Sequence, residues 1–258
     1  MEETQHDAIE RGWARAGRAL LDFLLPPLCP LSEDPVTQPG DLSAEAWGKV
    51  HFIAPPVCAR CGVPFAYDRG EGAVCGACAA EEPPYGRLRA VFVYDDRSRE
   101  LILRFKHGVR QETAPAFGRW MARAGRELLD RADYIAPTPL HWRRLLSRRF
   151  NQAALLARAV AQAHGEIAFA PDLLSRIRAT PSQGGLSAKG RRRNVAGAFA
   201  APERWKPRLE GKTVILVDDV VTTGATLAAC AKALRRAGAA RIDALALART
   251  VPGRQDAL

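Results

Sequence analysis

The sequence predicts an α/β protein: a parallel β-sheet flanked by helices, preceded by a small metal-bound module. Three observations carry that expectation. From about Leu88 onward, short apolar runs alternate with amphipathic helical runs, the order that builds strand–helix–strand units with right-handed crossovers. Two tight cysteine pairs precede this region. Near the end, four apolar residues, Val214 to Val217, run directly into the adjacent acids Asp218 and Asp219 and a hydroxyl-rich turn.

In chain order, residues 11 to 25 place Trp13, Leu20, Leu21 and Leu24 at helical spacing, with Arg11, Arg15 and Arg18 between them. This reads as a short amphipathic helix stopped by Pro26 and Pro27, because proline lacks an N–H and clashes with the preceding turn. Such a helix packs on the main body or, alternatively, lies on a membrane surface. Its apolar stretch, ALLDFLLPPL, is interrupted by Asp22 and falls short of the roughly 20 residues a membrane span needs. No small-residue cleavage site follows a basic start. A cytoplasmic protein with no transmembrane segment is therefore expected. Residues 30 to 57 are rich in Pro, Ser, Asp and Gly without periodicity and read as a linker or irregular loop.

Cys58-x2-Cys61 and Cys75-x2-Cys78 are separated by 13 residues. Two such turns bring four thiolates around one Zn²⁺, and Gly62 and Gly76 let the backbone fold tightly around the sulfurs. In a reducing compartment metal ligation comes before disulfides; an iron–sulfur cluster or redox pairs are the other readings. So small a module has too little core to fold alone, and the metal is expected to be structural. Cys29, in PLCPLS, has no Cys-x2-Cys partner and reads as a free thiol or a degenerate remnant. Cys230 falls on the apolar face of a helix, where packing is its expected role.

Beyond the cysteines, AVFVYD reads as a strand, SRELILRFKHG as a helix ended by Gly108, and DYIAPTPL as a strand entering a turn. FNQAALLARAVAQAHG is an amphipathic helix closed at Gly165, and KTVILVDD is a buried strand. GATLAACAKALRRAGA is a helix with Leu227, Cys230, Ala231 and Leu234 on one face and Gly238 at its end. RIDALALA is a further strand.

The chain has 258 residues and a net charge of +10, from 38 Lys and Arg against 28 Asp and Glu, which favours anionic partners. Nearly all of that excess lies between His141 and Asn194. There Arg143, Arg144, Arg148, Arg149, Arg158, Arg176, Arg178, Lys189, Arg191, Arg192 and Arg193 face only Glu166 and Asp172.

In an open parallel sheet, ligands bind beyond the carboxyl ends of the strands. The strand Val214–Val217 delivers Asp218 and Asp219 to that edge, and Val220 to Gly224 form the turn into a helix starting near Ala225. The N–H groups of that helix start, with the hydroxyls of Thr222, Thr223 and Thr226, make a cradle suited to a phosphate. Acids beside a phosphate repel it unless they address another part of the ligand, and carboxylates accept hydrogen bonds from vicinal hydroxyls. A ribose 5-phosphate satisfies both halves. The plainer reading, helix-capping and surface acids, fits poorly because a cap needs one acid and not two. Gly211-Lys212-Thr213 is no Walker loop, since Lys206 stands where the first glycine belongs and the tripeptide precedes its strand.

VILVDDVVTTGAT resembles the phosphoribosyl pyrophosphate (PRPP) motif of type I phosphoribosyltransferases. With the cysteine module, APTPLHWRRLLSRRFNQAALLARA and TPSQGGLSAKGRRRNVAGAF, the chain resembles the ComF family over roughly residues 55 to 250. That resemblance implies a type I phosphoribosyltransferase-like fold with an N-terminal zinc ribbon, linked to competence and the use of incoming DNA. Three regions are expected: an amphipathic helix and linker over 1–50, a four-cysteine zinc ribbon over 51–86 and a phosphoribosyltransferase-like domain over 87–258. Asp218 and Asp219 would bind the ribose hydroxyls at the catalytic centre; Val220 and Val221 would belong to the PRPP-binding stretch, and Thr222, Thr223, Gly224, Ala225 and Thr226 would hold the 5-phosphate. Pro137, Thr138 and Pro139 would hold pyrophosphate, with Lys106 reaching the same group. Arg191, Arg192 and Arg193 would be the cationic part of a mobile loop. PRPP or a ribose 5-phosphate is the implied ligand, with Mg²⁺ beside the structural zinc. The implied function is transfer of phosphoribose to or from a nitrogenous acceptor. Its alternative is a non-catalytic protein of DNA uptake, binding single-stranded DNA or other uptake proteins through the basic belt and zinc module. The oligomeric state stays open, a homodimer included. One departure stands out: relatives often carry a Cys-x2-Cys near Cys29, where this chain has Cys29-Pro30-Leu31-Ser32.

Overall fold

The computed structural model describes residues 26–106, 111–141, 150–181 and 185–251. The helix expected at 11–25, Gly108, the basic residues Arg143, Arg144, Arg148 and Arg149, and Ser182 to Gly184 lie outside the described residues.

Five strands form one parallel sheet: β1 (Leu88–Val93), β2 (Tyr134–Pro137), β3 (Ala168–Phe169), β6 (Thr213–Val221) and β7 (Arg241–Arg249), in the order β1-β7-β6-β2-β3. β4 (Ser175–Arg176) and β5 (Phe199–Ala200) form a separate antiparallel pair. The central strands carry unbroken apolar runs, Val214 to Val217 in β6 and Ala244 to Ala248 in β7, because both faces are covered there. Alternate residues take opposite sides. Val214 and Leu216 of β6, with Ala244 and Ala246 of β7, pack against Leu227, Cys230 and Leu234 of helix Ala225–Arg236. Ile215 and Val217, with Leu245 and Leu247, face Leu101, Phe105, Phe117, Met121 and Leu156 from helices Asp96–Lys106, Ala114–Ala124 and Gln152–His164. The last two helices meet closely at Gly118, where an added Cβ would lie 2.6 Å from the Cβ of Ala159.

Two expectations are revised. β6 does not end at Val217 but continues to Val221. Its neighbour β7 runs on to Arg249, so Asp218, Val220 and Val221 stay in register with Ala246, Ala248 and Arg249. On the other side β2 stops at Pro137, opposite Val217. The sheet edge is therefore stepped. Val220 and Val221, expected in the turn, belong to the strand, and Asp218 and Asp219 lie on a ledge with β7 on one flank and, on the other, the turn that follows β2, where Thr138 hydrogen-bonds to Asp218.

Residues 30 to 57 are irregular over much of their length, as expected, but they are packed rather than free. Ser43 caps a helix at Ala44–Lys49. Trp47 of that helix stacks on Phe52 with centroids 4.3 Å apart and meets Trp120 edge-on at 5.8 Å. His51 to Ile53 then pair with the outer edge of β1: the Ile53 N–H donates to the Val91 carbonyl at 2.8 Å and the Val93 N–H to the His51 carbonyl at 2.9 Å. That covers a sheet edge that would otherwise expose a row of unpaired backbone groups. The cysteine module docks beside it, with the Leu88 N–H donating to the Arg60 carbonyl at 2.6 Å and the Arg249 guanidinium to the Cys61 carbonyl.

Candidate functional site

On the ledge, Asp218 Oδ1 accepts the Thr138 hydroxyl and the Asp219 N–H, each at 3.0 Å. Asp219 accepts the Val220 N–H at 2.6 Å and pairs through Oδ2 with Lys106 Nζ at 3.1 Å. Burial and the neighbouring charge of Asp219 push the Asp218 carboxyl up to about 7, against the lowering pull of the Asp219 N–H, Thr138 and Lys106. Near neutral pH it is thus divided between an acceptor-only carboxylate and an acid that can also donate, and either form suits a hydroxyl-bearing ligand.

The turn beyond the ledge is short. Gly224 takes the left-handed conformation, φ 72°, and opens helix Ala225–Arg236 without a side-chain cap. A Cβ at Gly224 would lie 3.0 Å from the Tyr85 hydroxyl as well as in that strained region. Thr250, just past β7, fixes the turn from behind: its N–H donates to the Val221 carbonyl at 2.9 Å and its hydroxyl to the Thr222 carbonyl at 3.4 Å. The first-turn N–H groups of a helix are left for an anion when no side chain caps them.

These parts converge on a cleft of about 320 Å³ that brings together Lys106, Thr138, Pro139, Arg191, Asp218, Asp219, Val220, Val221, Thr222, Gly224, Ala225 and Thr226. The remaining expected residues lie elsewhere. Pro137 is buried at the end of β2. Thr223 is exposed and, with Arg192, lines an adjoining cavity of about 1000 Å³ between the turn and the cysteine module. Arg193 is exposed and lines neither cavity. Arg191, Arg192 and Arg193, expected on a loop, sit on a helix, Ala188–Val195, that Ser187 caps by accepting the Gly190 N–H at 3.1 Å. Arg192 pairs with Glu81 of the cysteine module.

Sequence reasoning passed over two supports. The Gln152 side chain donates to the Lys106 carbonyl at 2.9 Å, and Asn151 Nδ2 donates to the Thr138 carbonyl at 3.1 Å while its oxygen caps helix Gln152–His164. An asparagine just before an apolar helical run is an N-cap signal. It could have flagged Asn151, though not which loop its amide would hold. Arg176 of β4, in the sequence one of the basic residues between His141 and Asn194, also lines the cleft.

The ligand atoms of Cys58, Cys61, Cys75 and Cys78 lie within 4.8 Å of one another, and the sulfurs of Cys61 and Cys75 are 3.6 Å apart. Tetrahedral Zn–S bonds of about 2.3 Å place sulfurs about 3.8 Å apart, so the set fits zinc. Burial pushes the Cys58 thiol up, but N–H donors from Cys61, Cys75 and Arg60 outweigh it and bring it down to about 7. At Cys58 the thiolate form that metal binding requires is thereby favoured, while burial pushes the Cys61 and Cys78 thiols up.

Residues 20–79 match the family described as the double zinc ribbon domain, and residues 155–256 match the phosphoribosyl transferase domain. A protein of Salmonella typhimurium (strain LT2) named DNA utilization protein YhgH is 36% identical over 241 residues, covering 88% of this chain and 99% of its own. Competence protein F of Haemophilus influenzae is 33% identical over 199 residues, covering 75% of this chain and 85% of its own. The chain belongs to the ComF family. A more distant ComF relative, competence protein ComFC of Bacillus subtilis, is 28% identical over 210 residues, covering 78% of this chain and 81% of its own. The ComF chain thus joins a four-cysteine zinc ribbon to a phosphoribosyltransferase-like domain, whose strand-end ledge and helix start form the cleft. Among the described residues, no helix is long and apolar enough to cross a membrane.

Proposed function

We propose that this ComF-family chain binds PRPP with Mg²⁺ in the cleft and transfers phosphoribose to, or from, a nitrogenous acceptor. The carrying observation is the acid ledge, Asp218 and Asp219, set directly before an uncapped helix start at Gly224. In this reading the 5-phosphate sits on Thr222 to Thr226, and the ribose hydroxyls hydrogen-bond to the two acids. Pyrophosphate lies at Thr138 and Pro139 beside Lys106. When ligand enters, Lys106 exchanges its pairing with Asp219 for the diphosphate, and Arg191 approaches from helix Ala188–Val195. As the anomeric C–O bond breaks, charge builds on the departing pyrophosphate, and these cations stabilise it. Mg²⁺ would supply further neutralisation of that charge, and Asp218 and Asp219 are the carboxylates in the cleft available to it. The division into a zinc ribbon at 51–86 and a transferase domain at 87–258 belongs to the same reading. The ribbon side of the adjoining cavity is where the acceptor would be selected.

Isothermal titration with PRPP and Mg²⁺ tests the proposal. Heat of binding is expected with the native chain and none with Asp218→Asn combined with Asp219→Asn. Absence of heat with the native chain, or unchanged binding by the double variant, would count against it. A screen of bases and amines for PRPP-dependent pyrophosphate release would then identify the acceptor.

A second reading, binding of single-stranded DNA, draws on the adjoining cavity, whose lining sets Arg191, Arg192, Lys232, Arg236 and Arg249 against Glu81 and Glu82. Stacking aromatics in the basic segment are few, so phosphate contacts would dominate and affinity would fall steeply with salt. Absence of oligonucleotide binding at low salt removes this reading.

A further inference from the structure

The N-terminal region repeats itself. In the four-cysteine ribbon, the Cys58 N–H donates to the Val63 carbonyl at 2.8 Å, the Gly62 N–H to Cys58 at 2.9 Å and the Phe65 N–H to Pro56 at 2.9 Å, while Val57 bridges Pro64. Each bond recurs 29 positions earlier. The Cys29 N–H donates to Asp34 at 2.7 Å, the Glu33 N–H to Cys29 at 3.0 Å and the Val36 N–H to Pro27 at 2.8 Å, while Leu28 bridges Pro35. Even the left-handed residue recurs: Gly62 has φ 67° and Glu33, the single non-glycine of positive φ among the described residues, has φ 62°. In the second arm Cys75 precedes helix Gly76–Ala80 and Ser43 precedes helix Ala44–Lys49, with N-cap angles of −74°, 160° and −62°, 161°. Their carbonyls accept from Ala79 at 3.0 Å and Trp47 at 2.8 Å.

This correspondence gives every zinc ligand a counterpart: Cys29 for Cys58, Ser32 for Cys61, Ser43 for Cys75 and Ala46 for Cys78. The counterpart sulfur keeps the same donors. Cys58 accepts backbone N–H groups of Cys61, Cys75 and Arg60, and Cys29 accepts those of Ser32, Ser43 and Leu31. The other three positions offer no thiol. Where Cys61 and Cys75 bring sulfurs to 3.6 Å, the hydroxyls of Ser32 and Ser43 hydrogen-bond to each other at 2.8 Å, and Ala46, buried, has no donor atom to offer.

We propose that the chain carries one zinc, in the second ribbon only, and that the first ribbon keeps the zinc-ribbon backbone without a metal. Structural zinc is held by four thiolate or imidazole ligands, and the first ribbon retains one. The match to a double zinc ribbon over 20–79 then describes two backbones and one ion. Hydrogen bonds replace the lost coordination only in part, so docking on the transferase domain completes the work. Gly40 approaches so closely that a Cβ would lie 2.7 Å from Thr113 Cα. Arg104 reaches Glu33 at 3.3 Å and Arg119 reaches Asp41 at 3.2 Å.

The test measures zinc by elemental analysis on the full chain purified under reducing conditions. One zinc per chain is expected for the native protein and for Cys29→Ala. The Ser32→Cys/Ser43→Cys/Ala46→Cys variant should hold two, because its donor cage is already in place. Two ions in the native chain, a loss of zinc in Cys29→Ala, or a folded triple variant with a single ion overturns the proposal. Where the triple variant does not fold, the native chain and Cys29→Ala decide: one zinc in both sustains it.

Discussion

Replacing Asp218 by asparagine should stabilise the ligand-free protein, and the gain should depend on pH. Burial and the Asp219 charge lift the Asp218 carboxyl from 3.8 to about 7. At about 1.36 kcal/mol for each pK unit, ionising this group in the native state costs at most about 4 kcal/mol relative to the unfolded chain. Asparagine removes the charge but keeps an oxygen that can accept both the Thr138 hydroxyl and the Asp219 N–H, which already converge on a single oxygen, Oδ1. Its amide dipole retains part of the desolvation cost. A gain of about 2 kcal/mol is therefore expected, or roughly 4–8 °C in Tm for a domain of this size.

The pH window follows from the raised value. Below about pH 4 the acid is protonated in both states and its charge contributes nothing. Between about pH 4 and 7 the native state holds a proton that the unfolded chain has released, so stability falls as pH rises. Above about 7 the full cost is present. The advantage of Asp218→Asn should be small at about pH 4.5 and complete at about pH 8, read by thermal or urea denaturation of both proteins. An equal gain at the two pH values, or a loss at the higher one, would refute the argument that buried charge on the ledge opposes folding. A site that costs stability while empty is what a ligand-binding acid pair predicts.

Three further outcomes follow from neighbouring contacts. Lys106→Met leaves Asp219 without its cation at 3.1 Å; for a largely buried pair the expected loss is about 1–3 kcal/mol in urea denaturation at neutral pH, intermediate between exposed and fully buried pairs. Gly118→Ala forces a methyl to 2.6 Å from both the backbone carbonyl carbon and the Cβ of Ala159 and should lower stability by about 1–3 kcal/mol in urea denaturation; because the backbone contacts stay when Ala159 is also changed to glycine, the double variant should not recover. Gly224→Ala meets both a φ of 72° and the Tyr85 hydroxyl; a cost of about 1–2 kcal/mol is expected, together with a larger loss of PRPP binding than of stability in titration calorimetry.

Much of the sheet was legible because its strands and helices carry unambiguous periods: Val214 to Val217 and the helix face of Leu227, Cys230 and Leu234 fall where they were expected. Strand ends were not, because an end is set by neighbours and not by the strand itself. Nothing in Asp218-Asp219-Val220-Val221 says that β7 will continue alongside while β2 stops at Pro137, yet that difference makes the ledge. The segment around Trp47 hid for a similar reason, since one tryptophan among Pro, Ser and Gly has no period and is explained only by Phe52 and Trp120. The first ribbon was legible only at Cys29, whose place matches a Cys-x2-Cys of relatives. Ser32, Ser43 and Ala46 carry no trace of metal chemistry, and the two arms are separated by 10 residues there against 13 in the second ribbon. What survives is backbone: the paired prolines Pro27 and Pro56, Pro35 and Pro64, and the left-handed turn that glycine adopts in one copy and Glu33 in the other. A non-glycine held at positive φ is unfavourable in isolation, so on the one-zinc proposal it is the surrounding hydrogen bonds, the Glu33 N–H to the Cys29 carbonyl at 3.0 Å among them, that hold the turn where one of four ligands remains.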